Sequence, residues 1–436
     1  MALVVCAAVM VFSGVTDAQA QARHRQEVTD LDSADHQLTA ARYVLAATTY
    51  ARALATNHRN ALQSSVATTV GQLATTERTL SDTDADSFLL GLDATTLQTC
   101  FGGVRNSLQE VNVHDNLQAA DDLQSVSSSC LELSDGTNAG LVYPFDFPDP
   151  DVLEVGSTYY AYATNSVAGN IQIIESQDLT HWDVVGDALP NLPAWAVPDA
   201  TWAPAVVEVG GTFNLYYAAA VAGPQGGEEC ISVATATQPQ GPFVDDSKAP
   251  LECQASLGGS LDPSPFQDAD GNLYLQWKSE GANGQPATIW SEQLDATGTG
   301  FVQGSGSTPT TPTALIGADQ SWEAGVVEAP DLVENAGHYF LFYSGNYWSS
   351  SDYGVGVATC TGPLGPCTKP LSQPILSSGP GMDGPGSESV FTDATGTTWI
   401  AFDGYIPGAV GYPNSRDLFL RKLDLSGTVP VVEPAS

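Results

Sequence analysis

Residues 328–343 read Glu-Ala-Pro-Asp-Leu-Val-Glu-Asn-Ala-Gly-His-Tyr-Phe-Leu-Phe-Tyr. A carboxylate and a proline open a short apolar run, a Gly-containing turn follows, and an aromatic strand closes the unit. This is the pattern of a β-hairpin. Four other segments have the same form. Asp149-Pro150-Asp151-Val152 leads to Thr158-Tyr159-Tyr160-Ala161-Tyr162, and Trp202-Ala203-Pro204-Ala205-Val206 leads to Phe213-Asn214-Leu215-Tyr216-Tyr217. Leu261-Asp262-Pro263-Ser264-Pro265 leads to Leu273-Tyr274-Leu275-Gln276-Trp277, and Ser387-Glu388-Ser389-Val390 leads to Trp399-Ile400-Ala401-Phe402. Positions 149, 203, 262, 329 and 387 align. A repeat of about 60 residues suits one four-stranded blade, and five copies predict a five-bladed β-propeller. In such a fold each blade's first strand lines a central channel. The position at or just before each Pro then points into one axial cavity.

Outward from the repeats, the all-β pattern fills 143–436, and the composition changes sharply before it. No proline precedes Pro144, and all eight Trp lie between Trp182 and Trp399. Residues 21–130 carry apolar stripes at helical spacing, such as Leu31, Leu38 and Leu45, or Leu62, Val66, Val70, Leu73 and Leu80. The expected fold class is therefore all-β, a five-bladed propeller preceded by a small all-α helical domain at 21–130 and a linker at 131–142. The histidines of the helical part (His24, His36, His58 and His114) have no metal-ligand spacing, and no chemistry is read there.

Residues 1–20 have the character of an export signal. An apolar run ends near Ser13-Gly14, and Ala18-Gln19-Ala20 fits a cleavage site. The run is too short to span a bilayer, so no membrane insertion is expected after cleavage, and the protein is expected to be secreted and extracellular. Of seven cysteines, loss of Cys6 leaves six. Sequential pairing predicts Cys100–Cys130, Cys230–Cys253 and Cys360–Cys367. A net charge of −37 argues against nucleic acid or an anionic membrane as partner, because both need a basic patch. A neutral carbohydrate is compatible with it.

Three channel positions carry a carboxylate: Asp149, Asp262 and Glu328. Converging acids suit glycosidic bond cleavage, where a carboxylate deprotonates water and a carboxylic acid protonates the leaving oxygen. A further charge nearby raises the pKa of the acid. Asp146 and Asp151 are the local rivals of Asp149, and Glu323 is the rival of Glu328. Strand alternation predicts that Asp151 turns away from the channel. Trp202, Trp322, Tyr347 and Trp348 are candidate sugar-stacking faces, with blade packing as the competing role. Trp182 is expected in a blade core. Arg416 is placed to hold a sugar hydroxyl or a catalytic carboxylate, or to form a blade salt bridge.

The array resembles glycoside hydrolase family 43 over about 143–425. Its Asp-Pro motif is matched by Phe147-Pro148-Asp149-Pro150, its Trp-Ala-Pro motif by Trp202-Ala203-Pro204, its Asp-Pro-Ser motif by Asp262-Pro263-Ser264, and its Glu-small-Pro motif by Glu328-Ala329-Pro330. The resemblance implies an inverting glycosidase with Asp149 as general base, Glu328 as general acid and Asp262 orienting the acid. It implies arabinan, arabinoxylan or xylan-type substrates of plant or cell-wall origin. α-L-Arabinofuranosidase or arabinanase is the first reading, β-xylosidase the alternative, and a non-catalytic carbohydrate-binding propeller the reading from another class. The chemistry requires no cofactor. Many members hold a central ion such as calcium near a fifth-blade His. Here Gly384-Pro385-Gly386-Ser387-Glu388-Ser389 places Ser387 there, so no metal ligand is assigned.

Overall fold

The structure, a computed structural model, describes residues 140–435 except 167–168, 223–226, 304–310 and 413. The expected signal segment, the helical domain, nearly all of the linker and the Cys100–Cys130 pair lie outside the described residues.

The described chain begins with β1 (Leu141–Tyr143) and then builds five antiparallel sheets. Blade 1 is β2 (Asp151–Val155), β3 (Thr158–Ala163), β4 (Gln172–Ser176) and β5 (Asp183–Asp187). Blade 2 is β6 (Ala196–Val209), β7 (Thr212–Val221) and β8 (Glu229–Ala236), with Val244 bridging Thr235 at its outer edge. Blade 3 is β9 (Leu261–Gln267), β10 (Leu273–Ser279), β11 (Thr288–Gln293) and β12 (Thr313–Gly317). Blade 4 is β13 (Val327–Asn335), β14 (His338–Gly345), β15 (Gly354–Cys360) and β16 (Cys367–Thr368). Blade 5 is β17 (Asp383–Thr392), β18 (Thr398–Tyr405) and β19 (Asp417–Asp424), with β20 (Val431–Val432) also paired to β19. The all-β, five-bladed expectation holds, and each repeated unit supplies the first two strands of one blade.

Blade 5 takes its outermost strand from the other end of the domain. Leu141 pairs with Phe419 and Tyr143 with Leu418, so β1 closes the ring. The repeat pattern begins at residue 149 and gives no sign of this closure, because a three-residue strand has neither an aromatic run nor a turn signature.

The cores lie between blades, as strand alternation requires. On β7, Leu215, Tyr217 and Ala219 face blade 1 and pack with Tyr162, Ile171 and Ile173. Tyr216, one residue out of phase, faces blade 3 and packs with Leu273, Leu275 and Trp277. A third cluster joins Ile289 and Ile316 of blade 3 to Leu332 and Leu341 of blade 4. Trp182 is fully buried, as expected. The disulfides Cys230–Cys253 and Cys360–Cys367 form as the sequential pairing predicts.

Phe147 links the closing strand to the channel. It is fully buried, its ring lies edge-on to Tyr143, and its N–H donates to the Arg416 carbonyl at 2.8 Å. Phe147→Ala is therefore expected to cost about 3–5 kcal/mol in denaturant unfolding of the full chain. A loss below about 1 kcal/mol would show that this side chain does not support the closure.

Candidate active site

On or just before the inner strand of every blade, at the same place in the repeat, stands a non-glycine residue in the left-handed region. These are Asp149 (φ 56°), Ala203 (45°), Asp262 (52°), Ala329 (48°) and Ser387 (49°). The strand register slips at this level in blades 2 to 5. Such bulges re-aim side chains, and four of the five residues precede a proline, which has no N–H to leave unpaired.

The N–H groups freed by the kinks are caught by the preceding blade. Ala203 donates to Thr164 Oγ1 (2.9 Å), Ala329 to Asp262 Oδ2 (2.9 Å), Ser387 to Ser344 Oγ (2.9 Å) and Asp149 to Asp403 Oδ2 (2.8 Å). The last bond joins blade 5 to blade 1 along the channel wall.

Around the axis lies a cavity of about 50 Å³, lined by residues 149–151, 203–205, 262–264, 329–331 and 387–389. Asp149 and Asp262 line it directly, and Glu328 stands one residue before Ala329. Asp151 lines it as well, contrary to the alternation argument, because the left-handed turn at Asp149, just before β2, breaks the pleat on which that argument depends. Its Oδ2 accepts the Val206 N–H of blade 2 (2.8 Å).

Asp149 is built to stay ionised. Arg416 reaches it with Nη1 (3.0 Å) and Nη2 (3.4 Å), and the Thr164 hydroxyl donates to its Oδ2 (2.5 Å). Burial opposes the charge. Arg416 and the Thr164 and Ser387 hydroxyls outweigh it and hold the carboxyl below its ordinary range. Arg416 Nη1 also donates to Asp403 (3.0 Å). Asp403 is pushed up to about 8 by burial, with Arg416 pulling it down and Asp149 pushing it up.

Glu328 is 9% exposed, and both its oxygens are engaged. Lys278 Nζ donates to Oε2 (2.7 Å) and the Tyr353 hydroxyl donates to Oε1 (2.6 Å). The Tyr353 hydroxyl also meets Ser387 Oγ at 3.1 Å. A Cβ on Gly386 would lie 2.0 Å from the Tyr353 ring, so only glycine allows that ring to sit there. Asp262 is pushed up to about 7. Burial is the main cause, opposed by Lys278 and reinforced by the charges of Glu328 and Asp149. The site thus pairs an anionic carboxylate held by arginine with a glutamate held in place by lysine and tyrosine. A third carboxyl beside them stays protonated up to near neutral pH.

Three of the candidate aromatic residues keep exposed surface. Trp202, Tyr347 and Trp348 are 37%, 58% and 42% exposed, and Trp348 lies over the Arg416 guanidinium at 4.9 Å. Trp322 is different. Its ring leans on Tyr343 and covers Gly345 and Gly356, so most of its surface is spent on blade packing. Glu323 is fully buried, accepts from Tyr343 and Lys369, and stands apart from the channel lining. His181 and His338 are exposed and outside the lining.

No metal ion is assigned to the channel. Ser387 stands where the family pattern has His, its hydroxyl is engaged by Tyr353, and Glu388 Oε2 accepts from Ser344 (2.6 Å). Among the described residues no three His, Cys, Asp or Glu side chains stand at ligand geometry. No step is derived through a metal.

Thr164, Lys278, Tyr353 and Asp403 were not singled out from sequence. Lys278, Ser344 and Asp403 each directly follow an aromatic residue near the end of a second strand, and Thr164 lies one place further from Tyr162. A polar residue breaking an aromatic run at that place is the available signal.

The sequence profile described as Glycosyl hydrolases family 43 matches residues 141–429. The chain belongs to this family. It is a glycosidase. The "Probable arabinan endo-1,5-alpha-L-arabinosidase A" of Aspergillus flavus is 26% identical over 312 residues, which is 65% of this chain and 90% of that relative. A "Putative beta-xylosidase" of Xylanibacter ruminicola is 29% identical over 140 residues, 31% of this chain, and the chain spans only 25% of that relative. A solved endo-1,4-beta-xylanase from Bacteroides thetaiotaomicron is 30% identical with a TM-score of 0.58, covering 69% of this chain and 97% of that one.

The buried acids set the pH response of the glycosidase. Asp151 and Asp331 are pushed up to about 7, chiefly by burial, alongside Asp262 and Asp403. Unfolded, these groups titrate near 3.9. Between about pH 4 and 8 the folded protein binds more protons than the unfolded chain, so stability falls as pH rises. The melting temperature is expected to fall from pH 5 to pH 8.5, with a shallower fall in Asp331→Asn. A flat or rising profile would contradict this.

Proposed function

We propose that the protein is a secreted, inverting glycosidase of pentose-containing polysaccharide, with α-L-arabinofuranosyl linkages as first substrate. The observation that carries the reading is the contrast between Asp149, which lines the axial cavity, and Glu328, the residue next to the lining residue Ala329. Asp149 is held anionic by Arg416, and Glu328 reaches the same axis from blade 4. In this reading Asp149 takes a proton from water, and the water oxygen bonds to the anomeric carbon. Glu328 gives its proton to the departing oxygen as the glycosidic bond breaks on the opposite face. Asp262 binds the Ala329 N–H next to Glu328 and so fixes the backbone that carries the acid.

Trp202, Tyr347 and Trp348 supply stacking faces for sugar rings, and the net charge of −37 suits a neutral polysaccharide. The arabinanase relative supports arabinan. The 30% identical xylanase supports xylosyl linkages as the second reading. Two disulfides among the described residues favour an oxidising compartment, in keeping with secretion.

The test is hydrolysis of aryl α-L-arabinofuranoside, aryl β-D-xyloside and debranched arabinan. Glu328→Gln is expected to lose about 10²–10⁴-fold on the unactivated polymer and much less on an aryl substrate with a good leaving group. Asp149→Ala is expected to lose activity on both. Near-normal turnover of the polymer by Glu328→Gln would remove the acid assignment. Inactivity of the folded wild type on all three would favour a sugar-binding propeller.

A further inference from the structure

The last strand, β20, and the exposed His338 have no part in the chemistry above, and the structure brings their neighbourhoods together. β20 pairs with β19 through Leu423–Val432 and Asp424–Val431. The turn of this hairpin carries Thr428 and Val429 to a cavity of about 330 Å³ whose other walls come from blade 4. His338, Tyr339 and Phe340 open β14 there, and Thr359 and Cys360 end β15 there. β13 starts beside the axial cavity with Glu328 and ends at Asn335, just before the turn to His338. The second cavity therefore lies at the far end of these strands from the catalytic carboxyls. It shares no lining residue with the axial cavity.

Its walls are braced before anything binds. The Cys360–Cys367 disulfide ties β15 to β16 at the rim. Asn335 Nδ2 donates to the Leu425 carbonyl (3.0 Å), which fastens the turn of blade 4 to the start of the β19–β20 turn. The His338 ring lies 6.3 Å from that of buried Phe340 and 28° from parallel, so an exposed imidazole is held flat. A preformed concavity of a few hundred Å³ is the usual form of a small-ligand site.

The lining chemistry selects the ligand. The chain carries 50 Asp and Glu and a net charge of −37, yet no Asp, Glu, Lys or Arg lines this cavity. Lys369, next to the lining residue Pro370, spends its ammonium on Asp319 (2.7 Å) and Glu323 (2.6 Å). The lining consists of the rings of His338 and Tyr339, threonine hydroxyls and apolar surface. Aromatic residues with a polar handle suit a ligand that is apolar on its faces and polar at its edges. A neutral sugar ring has that form.

We infer that this cavity is a second carbohydrate-binding site, which holds one sugar unit of a neutral polysaccharide away from the catalytic cavity. The choice of pentose polymers as ligand rests on the substrate reading proposed above. A contact of this kind keeps a polymer near the enzyme between cleavages, because a second hold on one chain raises its effective concentration at the first.

The test uses the full chain carrying Glu328→Gln, so that the polymer survives. Debranched arabinan and linear xylan are cast into native gels, and retardation against a polymer-free gel gives an apparent Kd. Adding His338→Ala is expected to weaken binding about fivefold or more, and Thr428→Val about threefold. Both residues are exposed, so the fold tolerates either change. In proton NMR the His338 imidazole signal, identified by its loss in His338→Ala, is expected to shift saturably with arabino- or xylo-oligosaccharide. With Glu328 intact, both variants are expected to keep kcat/KM on an aryl glycoside within about twofold of wild type and to lose kcat/KM on the polymer. A His338 signal that neither oligosaccharide moves, or retardation that both variants leave unchanged, would overturn the second site. An equal loss on the aryl glycoside would overturn it too, since the residues would then serve the catalytic cavity. The substrate reading is judged separately by wild-type hydrolysis. Activity without a His338 response removes the second site and leaves that reading standing. A saturable His338 response in a wild type inactive on every pentose substrate keeps the second site and removes that reading.

Discussion

A left-handed kink at the channel end of each inner strand is the constraint on which the rest of this molecule depends. Five non-glycine residues accept it, at about 1–3 kcal/mol each for such a conformation. Aspartate tolerates it better than most residues, and two of the five are Asp149 and Asp262. The kink turns side chains toward the axis and frees backbone N–H groups that the sheet no longer pairs. In four blades the previous blade supplies the acceptor, so the kinks that build the site also fasten neighbouring blades to each other.

Charge is distributed with the same economy. Arg416 arrives from the loop before β19, in the blade that β1 closes, and it serves two carboxyls at once. The Asp146 side chain accepts the Arg416 N–H (3.1 Å), so the segment leading into Asp149 also fixes the arginine that holds Asp149 anionic. Closure of the ring and preparation of the base are therefore one event. On the opposite side, Lys278 of blade 3 reaches Glu328 of blade 4, again across a blade boundary. Each reactive carboxyl depends on a cation from a neighbouring blade.

The repeats made the blade number and the five channel positions legible. They state the local pattern of every inner hairpin, and the aligned positions are the five left-handed residues. Asp149, Asp262 and Glu328 stood out as acids at or beside three of the five aligned positions, and Arg416 as one of two arginines in 143–436. The β1 closure was not readable, since it is a non-local pairing of three ordinary residues. Asp151 was misplaced because alternation assumes an unbroken pleat, and the kink interrupts it. Lys278, Tyr353 and Asp403 gain meaning only when blades pack at a fixed angle. Tyr353 lies in the connection between β14 and β15, outside the hairpin that the five units share, so no repeat argument could reach it. Trp322 and Trp202 look alike in sequence, and only packing against Gly345 and Gly356 separates them.

The central claim is that Asp149 and Glu328 act on opposite faces of one sugar, water entering on one side as the leaving group departs on the other. Proton NMR of the reaction in its first minutes, before mutarotation, tests it most directly. The account predicts that the first-formed reducing sugar has the anomeric configuration opposite to that of the substrate. A first product of retained configuration would contradict it, because retention requires a carboxylate to bond to the sugar carbon rather than to activate water.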